Sequence, residues 1–469
     1  MRFSLRKDTD MTQGSIVMKL LGFAVPMMLG LLFQQLYSTV DAWVVGKFVS
    51  AKALAAVGSN ASVINTVVGT FAGLATGASV VISQAYGAHD DERLSRAVHT
   101  TIALTLLLCV VGTLVGVLAA KPLLSLSNLT EPEVREMALE YLRIYFWGVS
   151  GLMFYNMGTG ILRAVGDSTM PVVFLIISAI INTILDLVFV RVFDLKVAGV
   201  AYATIISQFI SSLLVLITLM RADGAYRLRL KLIRIHTETL KRIVALGLPS
   251  SLQSAVTSFS NVFVQAYINS LNTVGTAGWT AYGRLDAFLV VPLQAISMAS
   301  TTVVAQNWGA GFKKRARDGA NKAILLSVTT TAALSVIMMA FAEPLVKIFV
   351  KAEETDVIEY GVYFIHVITP FYVLMCFNQI YSGALRGIGI SVPPTVVMLA
   401  SFVVFRQIYL YIFSRLLFPA SRLVIALAYP MGWLLCSILM IVLFFRSDLG
   451  KARDDIRLGE ALADESAAE

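Results

Sequence analysis

Charge is scarce in this chain. Lys, Arg, Asp and Glu supply only 14% of the 469 positions, 37 basic and 29 acidic, against 57% hydrophobic residues, whereas water-soluble domains carry about 25% charged residues. Together with a mean hydropathy of +0.77, this excludes an ordinary soluble protein, because the apolar surplus needs hydrocarbon around it. Spans of about 20 to 25 residues, a dozen of them, would consume about 240 to 300 residues. That leaves short loops and no room for a large soluble catalytic domain. Cysteine and histidine are also sparse. Cys109, Cys376 and Cys436 lie inside apolar runs at unrelated spacings, so neither a disulfide framework nor a zinc site is indicated and they read as small core residues. His89, His99 and His236 fall in or near loops without ligand spacing, and His366 sits in a span as either a core residue or a proton relay. A nucleophile and base pair at span depth is missing as well, so an enzyme is not expected and no cofactor is called for.

What is present is a succession of apolar runs. Approximate spans fall at 15–40, 53–84, 94–119, 137–160, 170–192 and 198–221, and again at 243–271, 276–306, 320–342, 358–384, 393–415 and 422–446. The polar lead from Met1 to Gly14 precedes an apolar run too long for a signal sequence and lacking a small-residue cleavage site, so it is expected to be retained as the first span. The segment 222–242 between the halves alternates Arg227, Arg229, Lys231 and Arg234 with Leu and Ile, which suits an interfacial stretch on anionic lipid. The predicted organisation is a six-helix lobe over 1–221, a cytoplasmic linker over 222–242, a second six-helix lobe over 243–446 and a polar tail over 447–469.

Net charge +8 and a pI near 9.3 do not imply nucleic acid, because the basic residues occur as short patches between apolar runs. Counted by side with the N-terminus inside, 24 Lys and Arg fall on the cytoplasmic side and 10 opposite, with Arg143, Arg284 and Arg406 within or beside spans. This asymmetry places both termini in the cytoplasm.

The halves repeat one another. Leu162-Arg163-Ala164-Val165-Gly166 matches Leu385-Arg386-Gly387-Ile388-Gly389 at an offset of 223, which also pairs Pro171 with Pro394 and Pro26 with Pro249; Tyr86-Gly87-Ala88 matches Trp308-Gly309-Ala310 at 222. Six spans separate equivalent points, so the repeat is parallel, about an axis along the membrane normal, and a substrate path is expected between the halves. The fold class is therefore an all-α polytopic membrane protein of twelve transmembrane helices in two six-helix lobes related by a parallel repeat.

Duplication supplies an internal control. Arg163 and Arg386 occur in both halves and read as anchors at the inner span ends, and Gly166 and Gly389 as turn positions. Asp41 and Asp186 are different, because their partners at 223 are Val264 and Tyr409. Asn182 precedes Asp186 by one helical turn on the same face, and Thr204 on the sixth span adds a hydroxyl. Two acids, an amide and a hydroxyl at span depth suit a shuttled proton or a hard monovalent cation. The plainer alternative is that Asp41 sits in an outer loop and Asp186 pairs with Arg191. Gln34 and Tyr37 share the face of Asp41, and Asn156 on the fourth span can approach the same space. Met27 adds adaptable apolar surface suited to hydrophobic cations, although simple packing is the commoner use of such residues. Pro26 is the candidate hinge of the first span. Arg284, Asp286 and Arg406 either line a cavity in the second half or form a satisfied Arg and Asp pair.

In combination these stretches resemble the multidrug and toxic compound extrusion (MATE) transporters over essentially the whole chain. The resemblance rests on Leu21-Gly22-Phe23-Ala24-Val25-Pro26, Gln35-Leu36-Tyr37-Ser38-Thr39-Val40-Asp41, Gln84-Ala85-Tyr86-Gly87-Ala88, Asn182-Thr183-Ile184-Leu185-Asp186, Gly199-Val200-Ala201-Tyr202-Ala203-Thr204 and the two Leu-Arg-x-x-Gly repeats. It implies two six-helix lobes that export organic cations and other drugs in exchange for sodium ions or protons, with the cation site at Asp41, Asn182, Asp186 and Thr204. One branch of the family has an acid in the seventh span, where this chain has Gln253, Ser254 and Asn261. That departure speaks against an ion site in the second lobe and for the bacterial branch with first-lobe acids.

The expected function is a proton- or sodium-coupled antiporter that exports amphipathic or cationic compounds across a bacterial cytoplasmic membrane by alternating access. The alternative is export of a lipid-linked precursor or metabolite, as in related folds of the same wider superfamily. Small molecules and membrane lipid are the expected partners, no nucleic acid, with the chain acting as a monomer.

Overall fold

A hydrocarbon solvent offers no hydrogen bonds, so a spanning chain satisfies its backbone internally, and helices do this within one segment. The computed structural model describes residues 10–125, 131–351, 353–419 and 421–452. The basic residues before Asp10 and the tail from Arg453 lie outside the described residues. Among the described residues no strand occurs.

Among the described residues twelve long helical rods follow one another. They are α1 (Ile16–Phe48), α2 (Ala51–Gly87), α3 (Asp91–Ser125), α4 (Pro132–Trp147 continued by Val149–Ala164), α5 (Thr169–Arg191) and α6 (Lys196–Met220). After the linker come α7 (Thr237–Asn269), α8 (Asn272–Gly309), α9 (Lys313–Ala340), α10 (Thr355–Gly387), α11 (Val392–Leu417) and α12 (Arg422–Arg446). Ten are long and apolar enough to cross a bilayer by length and composition. The two others, α4 and α7, fall short because α4 is broken at Gly148 into two 16-residue pieces and α7 is rich in Ser, Thr, Gln and Asn. The twelvefold count read from the sequence thus reappears as twelve rods.

Two compact units organise them. One comprises Val25–Ile82 and Asp90–Ser258 among the described residues; the other comprises Asp10–Ala24, Ser83–His89 and the chain from Phe259 onward. The division passes through α1, α2 and α7. In the first unit a core of Val44, Val45, Tyr141, Tyr145, Val197 and Val200 joins α1, α4 and α6. In the second, Tyr282, Phe364, Tyr372, Tyr409 and Trp433 build an aromatic core from α8, α10, α11 and α12. Outward faces are apolar instead of polar: along α3, Val110, Leu114, Val115 and Leu118 are exposed, the last at 79%, the pattern expected of a helix against lipid.

The internal repeat is visible in local geometry. Gly166 and Gly389 take φ of 88° and 95°, and each closes its helix the same way: Gly166 N–H to Arg163 O at 3.0 Å and Asp167 N–H to Leu162 O at 3.0 Å, Gly389 N–H to Arg386 O at 2.9 Å and Ile390 N–H to Leu385 O at 2.9 Å. A left-handed residue at a helix end explains why both repeats keep glycine there. The α4 rod breaks at Gly148, and α10 breaks over Thr369–Phe371, 223 positions later. The interruptions have different causes, a glycine in the first half and Pro370 in the second.

Close helix approach is set by small residues. A Cβ on Gly148 or Gly158 of α4 would overlap Ile205 or Val215 of α6, so the two helices pack with almost no side-chain layer between them. In the second unit, Gly87 meets the Gln306 carbonyl and Gly309 meets the Gln84 carbonyl, a reciprocal crossing of the matched Tyr-Gly-Ala and Trp-Gly-Ala segments. The linker is pinned to the first unit by Arg229 N–H to His99 Nε2 at 3.0 Å and His236 N–H to Thr100 Oγ1 at 3.2 Å. Its Leu230, Leu232 and Ile235 remain exposed.

Candidate functional site

Four helices of the first unit converge on the acids. Asp41 lies inside α1, which runs on to Phe48, so it belongs to the helix and not to an outer loop. Asp186 and Asn182 project from one face of α5, Thr204 comes from α6, and Tyr141 from α4. The Asp41 and Asp186 carboxyl groups are neighbours, Tyr37 stands beside Asp41, and the hydroxyls of Tyr37 and Tyr141 approach that of Thr204. Asp186 and Asn182 are fully buried at 0% exposure.

The hydrogen-bond ledger at this place does not close. Asp41 Oδ1, both carboxylate oxygens of Asp186 and both terminal atoms of the Asn182 amide are buried without a hydrogen-bond partner. Buried polar atoms are nearly always satisfied, and an exception asks for an explanation such as a bound ion or proton. Thr204 donates its hydroxyl hydrogen to Val200 O at 2.9 Å, which leaves the oxygen to accept from the Tyr37 and Tyr141 hydroxyls. Val40, Val44, Leu187, Val200 and Tyr145, on the same four helices, belong to the apolar core of this unit. In such a medium two neighbouring negative charges repel strongly and are poorly solvated, so a proton or a metal cation on the pair is strongly favoured. The donor set, two carboxylates with an amide oxygen and a hydroxyl, fits a hard monovalent cation.

A hollow of about 990 Å³ opens at the end of this unit where α1 closes, lined among others by Phe48, Glu133, Glu136, Glu140, Asp194 and Val190. Val190 is one helical turn beyond Asp186, and the rim is predominantly acidic despite Arg143 and Lys196. Its charge would concentrate cations at that end of the unit.

The remaining sequence candidates are placed less centrally. Gln34 is exposed on α1 and Met27 is buried at 5%. The Asn156 amide donates to Leu152 O of its own helix at 2.9 Å. Pro26 lies within α1, which continues helical through it. Arg191 does not take up Asp186; its guanidinium lies 4.7 Å from the Phe48 ring centroid. Nor does a satisfied Arg and Asp pair form between Arg406 and Asp286, since Arg406 bonds Ser260 and Asn261 while Asp286 accepts from the Tyr282 hydroxyl at 3.3 Å. His366 is exposed and uses Nδ1 on Val362 O.

Two residues escaped the sequence reading. Tyr141 had no signal of its own, because a tyrosine in an aromatic-rich span is indistinguishable from packing. Gln208 could have been found, as it follows Thr204 by one turn on the same face; its side-chain oxygen is buried without a partner and its amide group neighbours Tyr145.

Comparison with known proteins agrees with the architecture. The MatE family model matches this chain twice, over residues 26–188 and 249–412, two segments whose starts are 223 residues apart, the offset of the internal repeat. The probable multidrug resistance protein YpnP of Bacillus subtilis is 28% identical over 414 residues, covering 87% of this chain and 91% of that protein. The probable multidrug resistance protein YoeA of the same organism is 28% identical over 385 residues, 80% of this chain and 82% of its own length. A solved structure described as the outward-facing conformation of a multidrug resistance MATE family transporter of the MOP superfamily superposes with a TM-score of 0.87 at 26% identity, covering 95% of this chain and 99% of that one.

Proposed function

This chain belongs to the MatE family, and from that premise we propose that it exports amphipathic or cationic compounds from the cell in exchange for protons or sodium ions. The similarity to proteins named as probable multidrug resistance proteins supports the substrate class. The observation that carries the coupling is the set of five orphaned polar atoms on Asp41, Asn182 and Asp186, buried on helices that build the apolar core of the first unit.

The mechanism follows from charge. With both acids ionised, the site attracts a cationic substrate and resists closure away from water. Cation or proton entry from outside neutralises the pair, removes that attraction and changes which conformation is favoured, so substrate and coupling ion exclude one another. Asn182 and Thr204 complete the ligand set, Tyr37 and Tyr141 hold the hydroxyl network, and Gln34, Asn156 and Met27 offer polar and adaptable apolar contacts to the substrate. Pro26 interrupts the hydrogen-bond ladder of α1 and is the point at which the helix can bend. The two repeats act as lobes, 1–221 and 243–446, joined by the 222–242 linker, with both termini on the cytoplasmic side of a bacterial inner membrane and the single chain as the working unit.

Purified chain in proteoliposomes, loaded with a fluorescent cation and subjected separately to an inward sodium gradient and an inward proton gradient, tests the reading. Efflux driven by one of the two gradients and lost in Asp186→Asn is the expected result. Equal efflux with no gradient would replace antiport by passive leak.

A further inference from the structure

The repeat sets a second polar cluster where the first unit keeps its acids. At the offset of 223, Tyr37, Asp41, Thr183 and Asp186 correspond to Ser260, Val264, Arg406 and Tyr409, so α7 and α11 stand in the second unit where α1 and α5 stand in the first. The sign of the charge is reversed there. Arg406 is only 4% exposed and sits at the middle of α11. Its Nη2 donates to Ser260 Oγ at 3.0 Å and to Asn261 Oδ1 at 2.8 Å, and the guanidinium lies 4.9 Å from the Tyr429 ring centroid. Gln407 Nε2 braces the same serine, donating to Ser260 O at 3.1 Å and Oγ at 3.0 Å.

Every partner of this guanidinium is neutral. Among the described residues no carboxylate is hydrogen-bonded or ion-paired to Arg406, and its buried Nε has no partner. Asp286 is occupied by Tyr282, whose hydroxyl is also 3.1 Å from that of Tyr372. Neutral acceptors orient an arginine but leave its charge uncompensated, and an uncompensated charge at bilayer depth is costly enough that it marks a site for an anion. The backbone is unusual at the same place. α11 is π-helical over Ala400–Phe405 and again over Leu410–Leu417, on both sides of Arg406, whereas its repeat mate α5 is a regular α-helix over Thr169–Arg191. Such wide turns concentrate at functional sites. The approach is open through Asn261, which is exposed, and the Tyr429 ring that faces the guanidinium stacks on Trp279 at 5.6 Å, a surface suited to an aromatic body.

We propose that Arg406, framed by Ser260, Asn261, Gln407 and Tyr429, is an anion subsite of the second unit that takes the carboxylate or phosphate group of an aromatic amphipathic substrate. The proposal rests on the exporter reading and narrows it. Within the exported amphipathic compounds, Arg406 selects those that bear a negative group. Nη2 is committed to Ser260 and Asn261, so the guanidinium offers an oxyanion its remaining N–H groups as charge-assisted donors.

A matched dye pair tests this. Rhodamine 6G is an ethyl ester cation, and rhodamine 19 is the same molecule with a free carboxylate. Binding of each to the full chain in phosphatidylcholine nanodiscs is followed by fluorescence anisotropy without any gradient. Arg406→Gln is expected to weaken rhodamine 19 by about 10-fold or more, the size of a lost charge-assisted contact, and rhodamine 6G by less than about 2-fold. Arg406→Lys should restore part of the rhodamine 19 affinity, because charge returns without the planar guanidinium. Inorganic phosphate that displaces rhodamine 19 from wild type but not residual dye from Arg406→Gln identifies a soluble anionic group; displacement only by phosphatidylglycerol in the disc identifies a lipid headgroup at the same subsite. Equal weakening of both dyes, or unchanged rhodamine 19 binding, in Arg406→Gln overturns the subsite while leaving the exporter reading intact. Failure of wild type to bind either dye overturns both. Should Arg406→Gln not fold, the same comparison is made on Arg406→Lys, where selective loss of rhodamine 19 supports the subsite and parallel loss overturns it.

Discussion

Asp41 and Asp186 are neighbours in the folded chain although they stand 145 positions apart in sequence, with three helices, α2, α3 and α4, between theirs. Their carboxyl groups share a buried space with an unsatisfied amide and no basic partner among the described contacts. Two acids placed together without a counter-charge are an unstable arrangement until a proton or cation joins them, and the proposed coupling follows from that instability.

Asp186→Asn is expected to retain expression, fold and thermal stability, because amide and carboxyl are nearly isosteric, while abolishing gradient-driven efflux in proteoliposomes. Asp41→Asn should act in the same direction. Val264→Ala, at the repeat-equivalent position of Asp41, should transport nearly as wild type. Gradient-dependent, wild-type efflux from the Asp41→Asn, Asp186→Asn double variant would remove the coupling role from these residues.

Tyr141→Phe keeps the ring that packs in the first-unit core and deletes the hydroxyl that approaches Thr204. A neutral hydrogen bond contributes about 0.5–1.5 kcal/mol. The concentration of coupling ion giving half-maximal efflux should therefore rise by about 2- to 10-fold, with the maximal rate little changed. A fall in maximal rate at constant ion affinity would place Tyr141 outside the ion site.

Gly158→Leu should destabilise the protein through helix contact alone. Its side chain would have to occupy the space of Val215 on α6, and overpacking of this kind costs about 1–3 kcal/mol. The melting temperature in detergent should drop, whereas Gly22→Leu, at a position with nothing within reach of a Cβ, should leave it unchanged. Equal melting temperatures would contradict the close packing of α4 and α6.

Orientation is open to labelling because Cys109, Cys376 and Cys436 are buried. Glu354→Cys, between α9 and α10, should react with a membrane-impermeant maleimide added to intact cells. Lys314→Cys, at the start of α9, should react only after lysis. The reverse pattern would invert the proposed topology.

Much of this protein was legible in the amino-acid order alone. Twelve apolar runs announced twelve rods, because hydropathy over about 20 residues is a local property that a bilayer reads directly. Gly166 and Gly389 announced equivalent helix ends, since only a residue without Cβ takes φ near 90° at no cost. The acids could be singled out because the repeat carried its own comparison, with Val264 and Tyr409 where the first half has Asp41 and Asp186.

Tertiary structure decided what those residues face. Whether Tyr141 packs idly or stands over Thr204, whether Arg406 pairs with Asp286 or with Ser260 and Asn261, and whether Asn182 finds a partner all depend on the rotation and crossing of helices far apart in sequence. Periodicity assigns a side chain to one face of its own helix but carries no information about the neighbour that face will meet. Charge patterns behave the same way: a basic residue within a span signals only that something must compensate it, and the packing of α7 against α11 determines that no carboxylate on the described chain does so.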